Sequence, residues 1–347
     1  MVQKRSAFFI ALAVALLAAV AWWLAPVDED QARWDDYLSR LERLTRQALP
    51  APPPLDLQRY PRNRDLRLPI PVHRVDLLDY LELRHCDLMT LISKRNSALG
   101  KIQAASLRFQ YEVRFIRRAR QCLSANRLEN PELVALLTEV VEQKSAALPA
   151  LYWNALAAGE EMHHFFGQTP SARTGDSQGA LRALAQLATV RDPRLLPPAQ
   201  YLANMEEHLQ KLAHSQAGGI LLRRTALALR ELQRGNALLA GIDPERLCPR
   251  GRASTRARRL RNVLDNIWGP KVQQALADSW RQRRQLADSL AAIQAMLPSP
   301  PPAFSQWQAH YFGPNGVETR MEQALQRHVE LWQNRLRPCG LMPGQRR

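Results

Sequence analysis

Apolar residues recur three and four positions apart along most of the chain, the spacing that lines one face of an α-helix. Leu133, Leu136, Leu137, Val140 and Val141 make one such stripe. It follows Asn130-Pro131-Glu132, where an N-cap side chain, a proline at the first helical position and an acid in the first turn coincide. Leu77, Leu81, Leu88, Leu91, Ile92 and Leu99 predict another helix, ending near Gly100. A long pattern from Pro198 to Ala240 carries Met205, Leu209, Leu212, Leu222, Leu229 and Leu232, with a kink or turn expected at Gly218-Gly219. A second runs from Thr255 to Leu297 and is expected to break once, at Gly269-Pro270. Phe109, Tyr111, Val113 and Phe115 alternate as in a strand, but Leu107, Tyr111 and Phe115 also lie four apart, and no partner strand is visible. Helix is the reading adopted.

The longest apolar run behaves differently. From Ser6 to Ala25 there is no charge, Lys4-Arg5 precede it, and Pro26 leads to Asp28-Glu29-Asp30. At 1.5 Å per residue the run spans about 30 Å, the hydrocarbon thickness of a bilayer. Basic residues before it predict that the rest lies across the membrane, and Trp22-Trp23 suit the interface where an anchor emerges. A cleavable signal peptide, cut after Ala19-Val20-Ala21, is the competing reading. The expected location is the inner membrane, crossed once, with the C-terminal part in the periplasm. The inner membrane is thus the first partner.

Glycine is scarce, at 15 residues, and Ala, Leu, Arg and Gln abound, all of which lose little rotamer freedom in a helix. The expected fold class is therefore all-α: a multi-helix bundle outside the membrane, preceded by one N-terminal transmembrane or signal-anchor helix. Prolines at 50 and 52–54, 69 and 71, 197–198, and 298 and 300–302 mark the joints. The expected layout is an anchor over 1–26, a juxtamembrane helix and Pro-rich linker over 27–60, and a helical domain over 61–347. That domain is either one unit or two halves, 61–168 and 197–347, with a short Ala/Leu helix over 176–190 between them.

Export changes how the cysteines and charges are read. Cys86, Cys122, Cys248 and Cys339 are even in number and allow three pairings. Cys86 with Cys122 and Cys248 with Cys339 are preferred because each pair then staples a local unit. No CxxC or Cys/His spacing of a zinc site is present. Lysine and arginine total 48 against 32 acids, a net charge of +16, and only six of the 48 are lysine. In the cytosol nucleic acid would be the first partner to consider; across the membrane that partner drops out. Anionic lipid, peptidoglycan carboxylates or an envelope protein take its place. The densest basic run is Arg250, Arg252, Arg256, Arg258, Arg259 and Arg261, with no acid over 246–264, and it is the candidate anion-binding face. Plain arginine bias and a solvated face are the alternative.

Motifs that carry chemistry are few. No HExxH, GxSxG, Walker loop or strand-flanked GxGxxG occurs, and no cofactor is expected. Glu160, His163 and His164 share one helical face and are the one group with ligand chemistry. They support an alternative reading as a metal-assisted hydrolase, provided Glu206 or His208 converges on them in a pocket.

The stretch Pro61-Arg-Asn-Arg-Asp-Leu-Arg-Leu-Pro-Ile-Pro-Val-His73, with Asp76-Leu-Leu-Asp79, Arg84-His-Cys-Asp-Leu88, Arg95-Asn-Ser-Ala-Leu-Gly-Lys101 and Arg327-His-Val-Glu-Leu-Trp-Gln333, resembles an uncharacterised bacterial family, domain-of-unknown-function family 3080. The resemblance runs from about Trp34 to Cys339-Gly340. It implies an envelope location and a disulfide-compatible setting, and no activity. Members commonly look like lipoproteins with a cysteine closing the signal segment; this chain has none before Cys86, so the Trp22-Trp23 anchor is expected to replace it. From the residues themselves, 61–73 reads as an extended arm whose Arg62, Arg64 and Arg67 either bind a partner or pair with Asp76, Asp79 or Glu82 as the arm packs on the bundle. The main functional reading is a membrane-tethered helical binding or scaffold protein.

Overall fold

A computed structural model describes residues 28–71, 83–168 and 176–342. The predicted anchor, Asp76, Asp79 and Glu82 lie outside the described residues. Within these, every regular element is helical and no helix is long and apolar enough to cross a membrane.

The elements follow from local chemistry. Helix α1, Glu29–Thr45, starts where the Asp28 carboxylate accepts the Gln31 N–H, and ends at Arg46 in the left-handed region. A 3₁₀ turn, Leu83–Cys86, leads to α2, Leu88–Asn96. The single helix expected from Leu77 to Leu99 is thus broken, because Asp87 sits at φ 55° and reverses the backbone between the two. Helix α3, Ala105–Ser124, contains the ambiguous Phe109–Phe115 segment, so its period of four, not two, decides. Helix α4, Pro131–Leu156, begins as predicted, with Asn130 Oδ1 accepting the Glu132 and Leu133 N–H groups. Then come α5 Glu160–Phe165, α6 Ser177–Leu187, α7 Ala199–Ala213, α8 Ala217–Ala240 and α9 Thr255–Val263. The last three are α10 Gln274–Ala295, α11 Pro302–Phe312 and α12 Val317–Leu336.

Two predicted breaks are placed differently. The interruption expected at Gly218-Gly219 falls before them, at His214–Gln216, and both glycines lie in the first turn of α8. Their service is close approach: a Cβ on Gly218 would stand 2.5 Å from the Phe165 ring, and one on Gly219 would collide with the Gly167 carbonyl oxygen. At Gly269-Pro270 the helix does not break at all. It widens into a π-helical stretch, Leu264–Gln273, that joins α9 to α10. Proline lacks an N–H and its ring presses on the carbonyl four residues back, and the wider turn accommodates both. Gly219→Ala is expected to destabilise the fold by about 2 kcal/mol, because overpacking against backbone outweighs the helix propensity gained. Thermal unfolding of the purified variant checks this; a melting temperature at or above wild type would refute the close-packing role.

Buried side chains from Trp34 to Cys339 form one continuous core. The most extensive helix contacts are α8 with α12 and α3 with α4, and α1 lies along α8. Along that pair, Arg223 bonds Asp28, Arg230 donates to Gln31 Oε1 at 2.8 Å, and Arg234 donates to the Pro50 carbonyl at 2.8 Å. Arg230 and Arg234 also clamp Glu231, which is fully buried and would be costly to ionise without them. Both disulfides form in the preferred pairing, Cys86 with Cys122 and Cys248 with Cys339. Cys86–Cys122 ties the turn before α2 to the end of α3. Cys248–Cys339 ties the chain after α8 to the end of α12.

Candidate functional site

The six arginines of the basic run do not act as one group. Ser254 caps α9 by accepting the Ala257 N–H at 3.1 Å, which fixes the phase of the helix. Arg256 then faces inward and donates to the Leu44 and Thr45 carbonyls, closing the C-terminus of α1; burial and nearby Arg46 hold its pKa below the usual guanidinium value. Arg261 pairs with Asp265 at 2.6 Å and donates to the Leu341 carbonyl. These two are structural. Arg258 is exposed and donates to the Ala253 carbonyl at 2.8 Å. Arg250, Arg252 and Arg259 are exposed, with no ion-pair partner among the described residues. Arg250 adopts φ 53° two residues after the disulfide-bonded Cys248.

The fold adds two residues that the sequence did not point to. Arg46, at the left-handed end of α1, stands next to Arg256, and Arg337 is exposed two residues before Cys339. Arg335 is spent on the Leu239 and Ala240 carbonyls at the end of α8, both at 2.9 Å. Of the acids nearby, Asp243 pairs with Arg246 at 3.3 Å and Glu42 accepts the Leu49 N–H at 2.8 Å, while Glu245 is exposed. One end of the bundle therefore gathers the termini of α1, α8 and α12, the start of α9 and a surplus of guanidinium groups. No sequence signal placed Arg46 and Arg337 there, since a disulfide and a helix end bring them in. This end lies at the far end of α1 from residue 28, about 25 Å along its 17 residues.

The described part of the arm, 61–71, and the residues Gln58 to Tyr60 just before it are pinned to the bundle. Trp153 Nε1 donates to the Leu66 carbonyl at 2.8 Å, and Asn154 both accepts the Leu68 N–H and donates to its carbonyl, each at 2.8 Å. The Tyr311 hydroxyl accepts the Gln58 N–H and donates to the Gln58 carbonyl, each at 2.7 Å. Tyr60 is buried, stacked on Phe166 at 5.0 Å and edge-on to Trp307 at 4.9 Å, and its hydroxyl donates to the Ala157 carbonyl. Against expectation, the arm is not extended throughout: Asn63–Leu66 form one helical turn between extended residues Arg62 and Arg67. Such side-chain reading of irregular backbone satisfies groups that would otherwise be buried unpaired. Arg62 and Arg64 are exposed near Asp65, at 3.1 and 3.6 Å, and Arg67 is exposed. The arm packs through its backbone and through Leu66, which is fully buried, with Leu68 and Ile70 against the core; Arg62, Arg64 and Arg67 stay on its outer side.

Glu160, His163 and His164 do not converge. Glu160 and His164 are exposed at α5, whereas His163 is half-buried with its ring edge-on to Tyr60 at 5.1 Å. Burial lowers the His163 pKa against the pull of Glu160. Glu206 is turned to Gln110 at 2.8 Å, and among the described residues no three His, Cys, Asp or Glu side chains are grouped to hold a metal ion. Helical spacing placed the three on adjacent turns, but the six-residue length of α5 and the arm over His163 separate their environments.

Fold and site together define, over the described residues, an all-α, doubly disulfide-stapled bundle, strapped by an arm with one helical turn and basic at one end. The chain belongs to the family described as protein of unknown function (DUF3080), whose model matches residues 34–343. No curated protein and no solved structure matches the chain.

Proposed function

We propose that the chain is a membrane-tethered helical binding protein of the periplasm, held to the inner membrane by residues 6–25 and presenting its basic end to an envelope polyanion. The observation that carries this reading is the group Arg250, Arg252, Arg258 and Arg259, joined by Arg46 and Arg337, at the end of α1 away from the tether. That distance favours a polyanion other than the tethering bilayer, with peptidoglycan carboxylates as the fitting class. Two disulfides and the absence of free cysteine suit an oxidising compartment. Nucleic acid is not a partner in this reading, and the hydrolase alternative loses its support because its three residues face different surroundings.

The test uses full-length protein in detergent, co-sedimented with purified peptidoglycan at several salt concentrations. The quadruple variant R250S/R252S/R258S/R259S is expected to bind about tenfold or more weakly, equivalent to about 1.4 kcal/mol, with a shallower salt dependence. Equal binding by variant and wild type would remove the basic end from the function.

A further inference from the structure

Among the described residues five large apolar side chains are exposed, and two of them border adjoining hollows. Trp280 on α10 is 43% exposed, and Leu195, in the turn before α7, is 82% exposed. Trp280 lines a hollow of about 400 Å³ between α6 and α10, and Leu195 lines a second of about 550 Å³ that shares Thr189 and Arg191 with the first. Three guanidinium groups rim the indole. Arg284 lies over its ring, 5.2 Å from the centroid, and Arg191 and Arg281 border the same hollow. None of the three has an ion-pair partner among the described residues. Two carboxylates lie among the lining side chains, Asp288 in the first hollow and Asp192 in the second; Asp192 is paired with Arg194 at 2.8 Å, so the face remains cationic.

The position of this face is informative. Asp278 and Ser279, on the same two turns of α10, line a hollow with Asp30 and Arg33 in the first turns of α1. Trp280, Arg281 and Arg284 occupy the flank of α10 turned away from α1, at the same height along the helix. The face is thus level with the start of α1 at Asp28, and remote from the basic end described above.

We infer that Trp280, Leu195, Arg191, Arg281 and Arg284 form a membrane-contacting face that rests on anionic phospholipid beside the tether. The inference rests on the tether reading, because the nearness of the bilayer follows from residues 6–25. An indole is apolar in body and polar at its N–H and so settles at headgroup depth, while arginines beside it pair with phosphates and bury their stems. Charge supplies the preference for anionic lipid, and the exposed Leu195 and Trp280 supply the apolar insertion that a merely solvated basic face lacks. Contact would fix the orientation of the bundle on the membrane, with the end that carries Arg250 pointing away.

The experiment reconstitutes full-length protein in nanodiscs of zwitterionic lipid, alone or mixed with anionic lipid, with brominated acyl chains that quench tryptophan at short range. Wild type, Trp280→Phe and the double variant R281S/R284S are compared, with both disulfides verified by mass. Trp280 is half-exposed, so its replacement leaves the core intact. The expected result is that anionic lipid raises quenching in wild type and that Trp280→Phe loses this increment. R281S/R284S should lose it as well, although its indole is retained. Trp22 and Trp23 report insertion of the tether independently, as quenching that persists in Trp280→Phe. If that persistent quenching is present and wild type equals Trp280→Phe, the face does not touch lipid and the inference is overturned. If both variants and wild type are unquenched, the tether reading fails and the inference fails with it.

Discussion

Replacing Cys248 and Cys339 together by serine is expected to cause the largest loss of stability of any change confined to two residues. The bridge joins positions 91 apart, and the loop-entropy relation assigns such a closure about 5 kcal/mol, against about 4 kcal/mol for the 36-residue separation of Cys86 and Cys122. Domains of ordinary stability have about 5–15 kcal/mol in total, so either loss is severe. The site adds its own cost. Cys339 is fully buried and Cys248 nearly so, and two serine hydroxyls there would need partners that the bridge never required. The damage should begin locally, since the bridge holds the turn with Arg250 and Gly251 against the end of α12. Urea unfolding of wild type, of reduced wild type and of the two serine pairs separates the contributions. Reduction isolates the cross-link, and the serine variants add the polar burial. The staple is refuted as a determinant of stability if the C248S/C339S variant and the oxidised wild type share one unfolding midpoint. A second outcome is informative for function: loss of peptidoglycan binding in that variant, with the fold still present at low urea, would show that the staple positions the guanidinium groups.

What was legible in the sequence follows a physical divide. Features set by a few neighbouring residues were readable: the Asn130-Pro131 start, because capping needs only three positions, and the helical nature of 105–124, because Leu107, Tyr111 and Phe115 lie four apart and no partner strand is visible. The disulfide pairing was readable because each pair serves its own region. Glycine and proline misled where tertiary packing decides their meaning. Gly218 and Gly219 open no kink and instead admit Phe165 and the Gly167 carbonyl; Pro270 is absorbed by a π-helical turn. The proline spacing of the arm predicted an extended backbone, but its partners Asn154 and Tyr311 are 86 and 253 residues away along the chain, beyond any local pattern. The basic run shows the same limit. Spacing alone could not separate Arg256 and Arg261, which serve helix ends, from Arg250, Arg252, Arg258 and Arg259, which face solvent, because the difference lies in the C-terminus of α1 and in Leu341.

Acid is expected to weaken the bundle through His328, with an onset above the range in which carboxylates titrate. The residue is fully buried on α12, and its hydrogen bonds define its state. Asn236 Nδ2 donates to the Ala324 carbonyl at 2.9 Å, which turns Asn236 Oδ1 toward the ring, so Nδ1 carries the proton and donates at 2.7 Å. Nε2 is then the acceptor for the Tyr37 hydroxyl at 2.6 Å, and that hydroxyl oxygen accepts the Trp332 Nε1–H at 3.1 Å. Every group in the chain is satisfied only while the imidazole is neutral. A proton on Nε2 would face the Tyr37 hydroxyl and the Trp332 N–H donor-to-donor and would place a charge in a fully buried site. Burial accordingly pulls the His328 pKa down from 6.5 to about 3. The unfolded chain takes up its proton near 6.5 and the folded chain does not, so the stability is whole above 6.5 and is lost progressively as pH falls toward 3. At pH 5 the loss is about 2 kcal/mol, at 1.36 kcal/mol for each pH unit below 6.5. His163, whose pKa burial also lowers, adds a smaller term of the same sign. The check is the urea midpoint between pH 8 and pH 5 for wild type and for His328→Gln. The variant should start lower, because the network is broken, but should lose much less stability on acidification. Parallel pH slopes for the two proteins would show that the acid sensitivity resides elsewhere and that the buried imidazole is not its source.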